Sequence, residues 1–231
     1  MGNRRSLTCA IAALGIVVLT LTGCSAFTET DGPSGQTNAP TTSLPTAAES
    51  PAPVTAASIV LSVTSIQIVD SSGATLSEHD YFEPAADVVA VLSDAFGSEP
   101  IVSQYDSHAD SPSGTSYDWD GFDLRDNDWP AETPYYSEFS VLLTAPKVGG
   151  LPISTSDGVS VGDSFSGVTE ANPAHAEFSA DGMVSLEWTE LPAFPEGYGV
   201  DTVPAISVLV IDSGLSGVVS RILAPAANWG G

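Results

Sequence analysis

The chain has 231 residues, two cysteines and a formal net charge of −24, which arises from 29 acidic and five basic side chains. A surface of this charge repels a phosphate backbone, which argues against nucleic-acid binding. An anionic lipid surface repels it as well, so the folded part is expected to stand off a membrane. This charge is typical of a protein that stays soluble at a crowded surface, and it also suits a cationic ligand.

The first 23 residues have the pattern of an export signal. Arg4 and Arg5 give a positive start, and an apolar run from Cys9 to Leu21 follows. This run is shorter than the roughly 20 residues that a membrane-spanning helix needs. A positive start, about 7–15 apolar residues and a small-residue cleavage site are typical of a secretory signal peptide. We therefore expect residues 1–23 to be removed on export.

The end of this run, Leu21-Thr22-Gly23-Cys24, resembles the lipobox of bacterial lipoproteins. In that family the cysteine thiol carries a diacylglyceryl group and the signal is cleaved just before it. The resemblance implies that Cys24 begins the mature chain and anchors it to the extracytoplasmic side of the membrane. Two acyl chains hold a protein stably, whereas one holds it only marginally. No thiol is then left for a disulfide, a metal site or a nucleophile.

Residues 24–57 contain the lipidated cysteine and a tether rich in Ser, Thr, Pro, Ala and Gly. Such a segment cannot bury enough apolar surface to offset its conformational entropy, so we predict that it is disordered. At about 5–6 Å times the square root of the residue number, the tether reaches about 30 Å. It would hold the globular domain, residues 58–231, away from the membrane.

The first part of this domain contains the strongest secondary-structure signals. β-branched residues from Ile59 to Val69 predict a strand, and a turn follows at 70–73. Apolar residues at helical spacing from Pro84 to Phe96 predict a helix, which Gly97 would terminate. The polar stretch 101–116 is predicted to be a loop.

An aromatic segment follows this loop. Tyr117 and Trp119 alternate with aspartates until Gly121 breaks the phase, which indicates either a strand with a bulge or a tight hairpin. The stretch 125–134 is predicted to be a loop, and 139–144 is predicted to be a strand.

The second part repeats this order. Asp157-Gly158 is predicted to turn a hairpin, and Asp163 or Ser164 can cap a short helix that ends near Ala171. Alternating apolar residues predict three further strands, at 184–188, 206–211 and 218–223.

We interpret residues 59–146 and 150–224 as two divergent copies of one strand–short helix–strands unit. The predicted fold is α+β, with a mostly antiparallel sheet core that both copies share, because one copy has too few strands to cover its own sheet face. The helix, Gly97, and then Tyr117 and Trp119 on a strand resemble the BamE-type small lipoproteins of outer-membrane assembly. That family is non-catalytic and binds partner proteins.

Gly162-Asp163-Ser164 is similar to the nucleophile block of GDSL-type hydrolases. That family needs a catalytic histidine near the C-terminus, and no histidine follows His175. We therefore predict a turn and a helix cap here. His79, His108 and His175 lack the spacing of zinc ligands, so they are predicted to be surface or loop residues.

An acidic cluster between residues 106 and 128 is the one candidate site for a metal. Calcium takes six to eight oxygen ligands, and the candidate ligands are Asp118, Asp120, Asp123, Asp126 and Asp128. Their spacing is not that of an EF-hand loop, and solvated carboxylates are the simpler interpretation. A pair of these acids could also serve a hydrolase. The candidate binding residues nearby are Tyr117, Trp119 and Trp129.

The sequence thus predicts a lipid-anchored, non-catalytic module that binds an envelope protein or polymer and needs no cofactor. The alternatives are a carboxylate-dependent hydrolase and a calcium-binding domain, both of which would use the acids of the 106–128 segment.

Overall fold

The computed structural model describes residues 55–107, 112–129, 136–175, 179–193 and 203–228. The predicted signal peptide, Cys24 and the tether up to residue 54 lie outside these residues. The first strand starts at Ala56, two residues before the predicted start of the globular domain at residue 58.

The first three strands form a meander: β1 (Ala56–Leu61), β2 (Ser65–Asp70) and β3 (Thr75–Asp80). The single strand predicted across 59–69 is therefore a hairpin. Its break has a local cause, because the Ser62 hydroxyl accepts hydrogen bonds from the backbone N–H groups of Thr64 and Ser65, at 3.2 and 2.9 Å. Serine side chains favour turns by such bonds. The predicted turn after Asp70 is confirmed.

The predicted helix is confirmed as α1 (Ala85–Phe96), and its buried face includes Val88 and Leu92. Gly97 ends it in the left-handed conformation, with φ of 68°, and donates its N–H to the carbonyl of Ser93. Helices commonly end in this way.

Four strands follow: β4 (Ile101–Tyr105), β5 (Gly114–Asp118), β6 (Phe122–Asn127) and β7 (Phe139–Leu143). The prediction of a loop over 101–116 is wrong, since residues 101–105 and 114–116 lie in two paired strands. The loop predicted from residue 125 begins only after Asn127. Of the two alternatives for the aromatic segment, the tight hairpin is present, and its turn spans 119–121.

The remaining elements are β8 (Lys147–Val148), β9 (Leu151–Thr155), α2 (Phe165–Ala171), β10 (Met183–Glu190), β11 (Ala205–Ile211) and β12 (Arg221–Asn228). Two 3₁₀ turns, Pro173–His175 and Ser179–Asp181, separate α2 from β10. The chain turns at Asp157-Gly158 as predicted, but residues 159–161 form no strand.

These strands form two sheets, with the orders β3-β2-β1-β9-β8 and β10-β11-β12-β7-β6-β5-β4. Among the described strands, β1 and β9 are parallel and the other neighbours are antiparallel. The predicted α+β class is thus confirmed, and the described residues form two sheets and two α-helices.

Buried side chains from both sheets and both helices form one hydrophobic cluster within the unit Pro51–Gly231. Aromatic pairs connect its parts, since the ring centroids of Tyr81 and Phe139 lie 5.4 Å apart and those of Phe96 and Trp119 lie 5.6 Å apart. Within the described residues, no helix is long and apolar enough to cross a membrane.

Candidate functional site

A groove of about 490 Å³ lies on the solvent-facing side of the seven-stranded sheet. We call it the outer groove. Most of its lining side chains carry a polar group, and they come from β4, β5, β6 and β7, with one residue from β12. The lining residues are Ser103, Tyr105, Ser116, Asp123, Arg125, Asn127, Ser140 and Leu223.

The strand register brings these side chains together. Arg125 lies opposite Ser116 on one neighbouring strand and Ser140 on the other. Ser116 in turn lies opposite Ser103. Directly opposed residues point to the same face of a sheet, so these four side chains form one polar row. Alternate residues such as Leu124 point the other way and are fully buried.

Tyr105 crosses the neighbouring strand to form the end of the outer groove. Its hydroxyl donates to the carbonyl of Asp126 and to the Asn127 side-chain oxygen, at 3.0 and 2.9 Å. The crossing requires glycine at position 114, because a Cβ there would lie 2.3 Å from the Tyr105 hydroxyl oxygen.

Tyr105 also stays protonated at neutral pH. Burial raises the pKa of Tyr105 to about 12, and the carboxylates of Asp126 and Asp128 add to this effect while Arg125 opposes it. The phenol therefore remains a hydrogen-bond donor across the physiological pH range.

Arg125 supplies the positive charge of the outer groove. Its Nε donates to Asp123 Oδ2 at 2.8 Å, and the other oxygen of Asp123 accepts from the Ser116 hydroxyl. A guanidinium has five N–H donors, and within the described part of the chain only Nε is hydrogen-bonded. The side chain is 46% exposed. The remaining donors can thus bind a ligand.

The five candidate metal ligands do not converge. Asp118 accepts a hydrogen bond from Gly121 N–H within the hairpin turn, which also contains Asp120. Asp123 and Asp126 fall on opposite faces of β6, because side chains alternate along a strand. Across the described residues, no group of three or more His, Cys, Asp or Glu side chains could hold a metal ion. The calcium hypothesis stays a prediction.

The hydrolase alternative requires two acids at one cleft. The described lining of the outer groove contains a single carboxylate, Asp123, and both of its oxygens are hydrogen-bonded. Burial raises the pKa of Asp126, and the nearby Asp128 and Glu138 raise it further. Asp126 faces the other side of the sheet, however, so it cannot act in the outer groove as a partner of Asp123.

The three aromatic binding candidates lie in different environments. Trp119 is only 4% exposed, and its Nε1 donates to the Ser98 carbonyl at 3.0 Å. It is therefore a core residue that a ligand cannot reach on this surface. Tyr117 is half-buried on the inner face of β5. Trp129 is half-buried and stacks on Tyr136, with ring centroids 3.8 Å apart.

The GDS-like segment is a turn and a helix cap, as predicted. The Ser164 hydroxyl accepts from Gly167 N–H at 3.3 Å, and Asp163 accepts from Ser160 N–H at 2.7 Å. Both side chains are thus used in local structure.

The structure describes two of the three histidines, His79 and His175. His79 is on β3, where its Nδ1 pairs with the Glu83 carboxylate, and its side chain is only 14% exposed, so the prediction of a surface or loop position is wrong for it. His108 lies outside the described residues, and His175 ends a 3₁₀ turn.

Sequence reasoning missed most of the outer groove. The polarity of the 101–116 stretch predicts a loop at Ser103 and Tyr105, although Ile-Val-Ser-Gln-Tyr contains two β-branched residues and an aromatic one, which favour a strand. The comparisons with known proteins add no relative, since the chain matches no protein-family model, no curated protein and no solved structure.

Proposed function

We propose that this chain is a membrane-anchored extracytoplasmic lipoprotein whose folded domain is a non-catalytic binding module of the cell envelope. The lipobox-like segment that ends at Cys24 and the tether that follows it support the location. The outer groove supports the binding role. Its row of hydroxyl and guanidinium groups across four strands, centred on Arg125, is the observation that carries the proposal.

The chemistry of the outer groove suits a neutral, hydroxyl-rich ligand such as an envelope polysaccharide. Serine hydroxyls, the Asn127 amide and the Arg125 guanidinium provide both donors and acceptors for sugar hydroxyls. The Tyr105 ring and Leu223 add apolar surface within the same cavity. A polyanionic ligand fits less well, because the chain as a whole carries a net charge of −24.

Two matched arginine variants test this proposal. Arg125 and Arg221 are both exposed and both lie on strands of the seven-stranded sheet, but only Arg125 lines the outer groove. On an array of bacterial surface polysaccharides, we expect wild-type protein and Arg221→Gln to give the same signals. Arg125→Gln should lose them. Equal signals from all three proteins would contradict binding in the outer groove.

The anchor is tested separately from the groove. We expect Cys24→Ser to move the protein from the membrane fraction to the soluble extracytoplasmic fraction and to abolish labelling with a fatty-acid analogue. A variant that is still labelled and still sediments with membranes would contradict the assignment of Cys24 as the lipidated residue. Its binding to polysaccharide should not change.

We also propose that the domain arose by duplication of one unit, residues 59–146 and 150–224. The pairing of β1 with β9 in one sheet, and of β7 with β12 in the other, supports this, because each pair joins corresponding positions of the two segments. A crystal structure in which the segments superpose with α1 on α2 would be the test. A superposition that pairs neither helices nor strands would refute duplication.

A further inference from the structure

β4 is an edge strand with one free side. It is the last strand of the seven-stranded sheet and pairs with β5 through five consecutive residues without a bulge. Among the described residues, no strand pairs with its other side. In an antiparallel pair, alternate residues direct both N–H and C=O away from the partner. The free side of β4 therefore presents unused backbone donors and acceptors.

Within the described part of the chain, this edge lacks the protection that most sheet edges have. Natural proteins protect edge strands with charged residues, proline, bulges or a covering segment. The five residues of β4 include no charge and no proline. Ile101 is 72% exposed and Val102 is 57% exposed, so neither the core nor another described segment covers them.

The two faces beside this edge offer different contacts. Ile101 projects to the same face as Ser103 and Tyr105 of the outer groove. Val102 projects to the inner face, directly opposite Tyr117, which is itself only half-buried. A strand added to β4 would cover Val102 and part of Tyr117 with its inward side chains. It would also extend the wall of the outer groove with its outward side chains.

The charge around the edge selects the kind of strand. Glu99 and Asp106 flank β4 and are both exposed, and Asp118 lies opposite Ile101 on the neighbouring strand. A second copy of this chain would bring another net charge of −24 to the same place. An added strand with basic residues at its ends would instead place positive charge beside the flanking carboxylates.

We propose that β4 is a docking edge for a partner protein, which adds an extended segment of alternating β-branched residues flanked by Lys or Arg. The backbone hydrogen bonds of the added strand would supply affinity, and the flanking charges would favour a basic segment over an acidic one. This inference does not depend on a ligand in the outer groove, so either proposal can fail alone.

Synthetic peptides test the edge directly. The probe is acetyl-Lys-Lys-Val-Thr-Val-Thr-Val-Lys-Lys-amide, titrated into the full chain in detergent by calorimetry at low salt. One control peptide carries N-methyl groups on two adjacent central residues, which blocks both of its edges without a change in charge. A second control replaces the lysines by glutamates. We expect the probe to bind, with an affinity about tenfold or more above that of either control.

Protein variants locate the site. Val102→Lys places a charge on the edge, whereas Val203→Lys places the same charge at a residue that is similarly exposed, at 49%, but precedes β11. We expect Val102→Lys to bind the probe with about tenfold lower affinity and Val203→Lys to bind it with the affinity of the wild type. Amide hydrogen exchange should slow in residues 101–105 when the wild type is saturated with the probe.

Three results would overturn the proposal. Equal binding of the N-methylated peptide would show that charge alone attracts the probe. Unchanged exchange in residues 101–105 would place the probe elsewhere, and this readout does not depend on whether a variant folds. If sedimentation shows a dimer that Val102→Lys abolishes, and the probe does not bind, the edge would be assigned to a second copy of this chain.

Discussion

Glu187 is a partly buried carboxylate on a strained backbone. It lies at a bulge in β10 and adopts a left-handed backbone conformation, with φ of 51°. Its Oε2 accepts from Val63 N–H at 2.9 Å and so joins the seven-stranded sheet to the β1–β2 turn. Its Oε1 is buried and has no hydrogen-bond partner among the residues that the structure describes. Burial raises the pKa of Glu187, and the charge of Asp157 raises it further, although the Val63 bond opposes this.

This raised pKa predicts a pH dependence of stability. The folded chain binds the Glu187 proton more tightly than the unfolded chain does. Glu187 therefore contributes most to the free energy of unfolding in acid, and this contribution is lost as the pH rises from the ordinary glutamate pKa through the raised one. Glu187→Gln should flatten this part of the plot of unfolding free energy against pH, and it should not lower the urea midpoint at pH 7. The exposed Glu190→Gln is the control. An unchanged pH profile in Glu187→Gln would contradict the prediction.

Gly114 allows a second prediction at the scale of one residue. A Cβ at this position would lie 2.1 Å from the carbonyl oxygen of Asp126 and would also displace the Tyr105 hydroxyl. Tyr105→Phe removes only the hydroxyl, so we expect it to cost about 1 kcal/mol of unfolding free energy. Gly114→Ala should cost about 2–3 kcal/mol, because the overpacked strand pair must shift. Urea unfolding of both variants measures this, and equal losses would contradict it.

At the scale of secondary-structure elements, the turn between β8 and β9 packs against the end of α1. Gly149 and Gly150 both have positive φ, at 57° and 85°. A Cβ on Gly149 would lie 2.5 Å from the carbonyl oxygen of Phe96, whereas a Cβ on Gly150 meets no atom within 4 Å. We expect Gly150→Ala to cost about 1 kcal/mol of unfolding free energy through backbone strain alone.

Gly149→Ala should cost about 1–3 kcal/mol more than its neighbour, because α1 must move away from the turn. The matched pair separates the steric contact from the strain that both positions share. Equal urea midpoints for the two variants would show that a Cβ at position 149 does not clash with the end of α1.

The elements that sequence reasoning predicted are those with local signals. α1 has an apolar face and a terminal glycine, β7 has strict alternation, and α2 has its serine cap. β3 is polar and exposed, and the short β-branched and aromatic composition of β4 is a weak signal, so the conformation of both strands depends on pairing with a neighbour. The outer groove was missed for the same reason. Ser103, Ser116 and Arg125 become neighbours only through the register of four strands, which no short stretch of sequence specifies.

At the scale of the whole molecule, the charge is almost unopposed. If residues 1–23 are removed, three basic side chains face 29 acidic ones. The described residues contain one ion pair of an arginine with a carboxylate, Arg125–Asp123, and one histidine–carboxylate contact, His79–Glu83. Repulsion among the carboxylates is stronger in the compact folded state than in the expanded unfolded chain. Salt should therefore relieve a net repulsion while it weakens few attractive pairs.

We expect the urea midpoint at pH 7 to rise with added NaCl, and most of the rise to occur below about 0.2 M. The Debye length falls from about 30 Å at 0.01 M to about 10 Å at 0.1 M, so screening is largely complete by then, whereas a general salting-out effect would continue to grow linearly. CaCl₂ and MgCl₂ at equal concentrations are the controls, because screening does not distinguish them. A urea midpoint that stays constant or decreases as NaCl is raised to 0.1 M would contradict the repulsion argument.

A larger effect of calcium than of magnesium on the urea midpoint at submillimolar concentration would instead support a calcium site among the acids of the 106–128 segment, since the two ions differ in preferred geometry and ligand number.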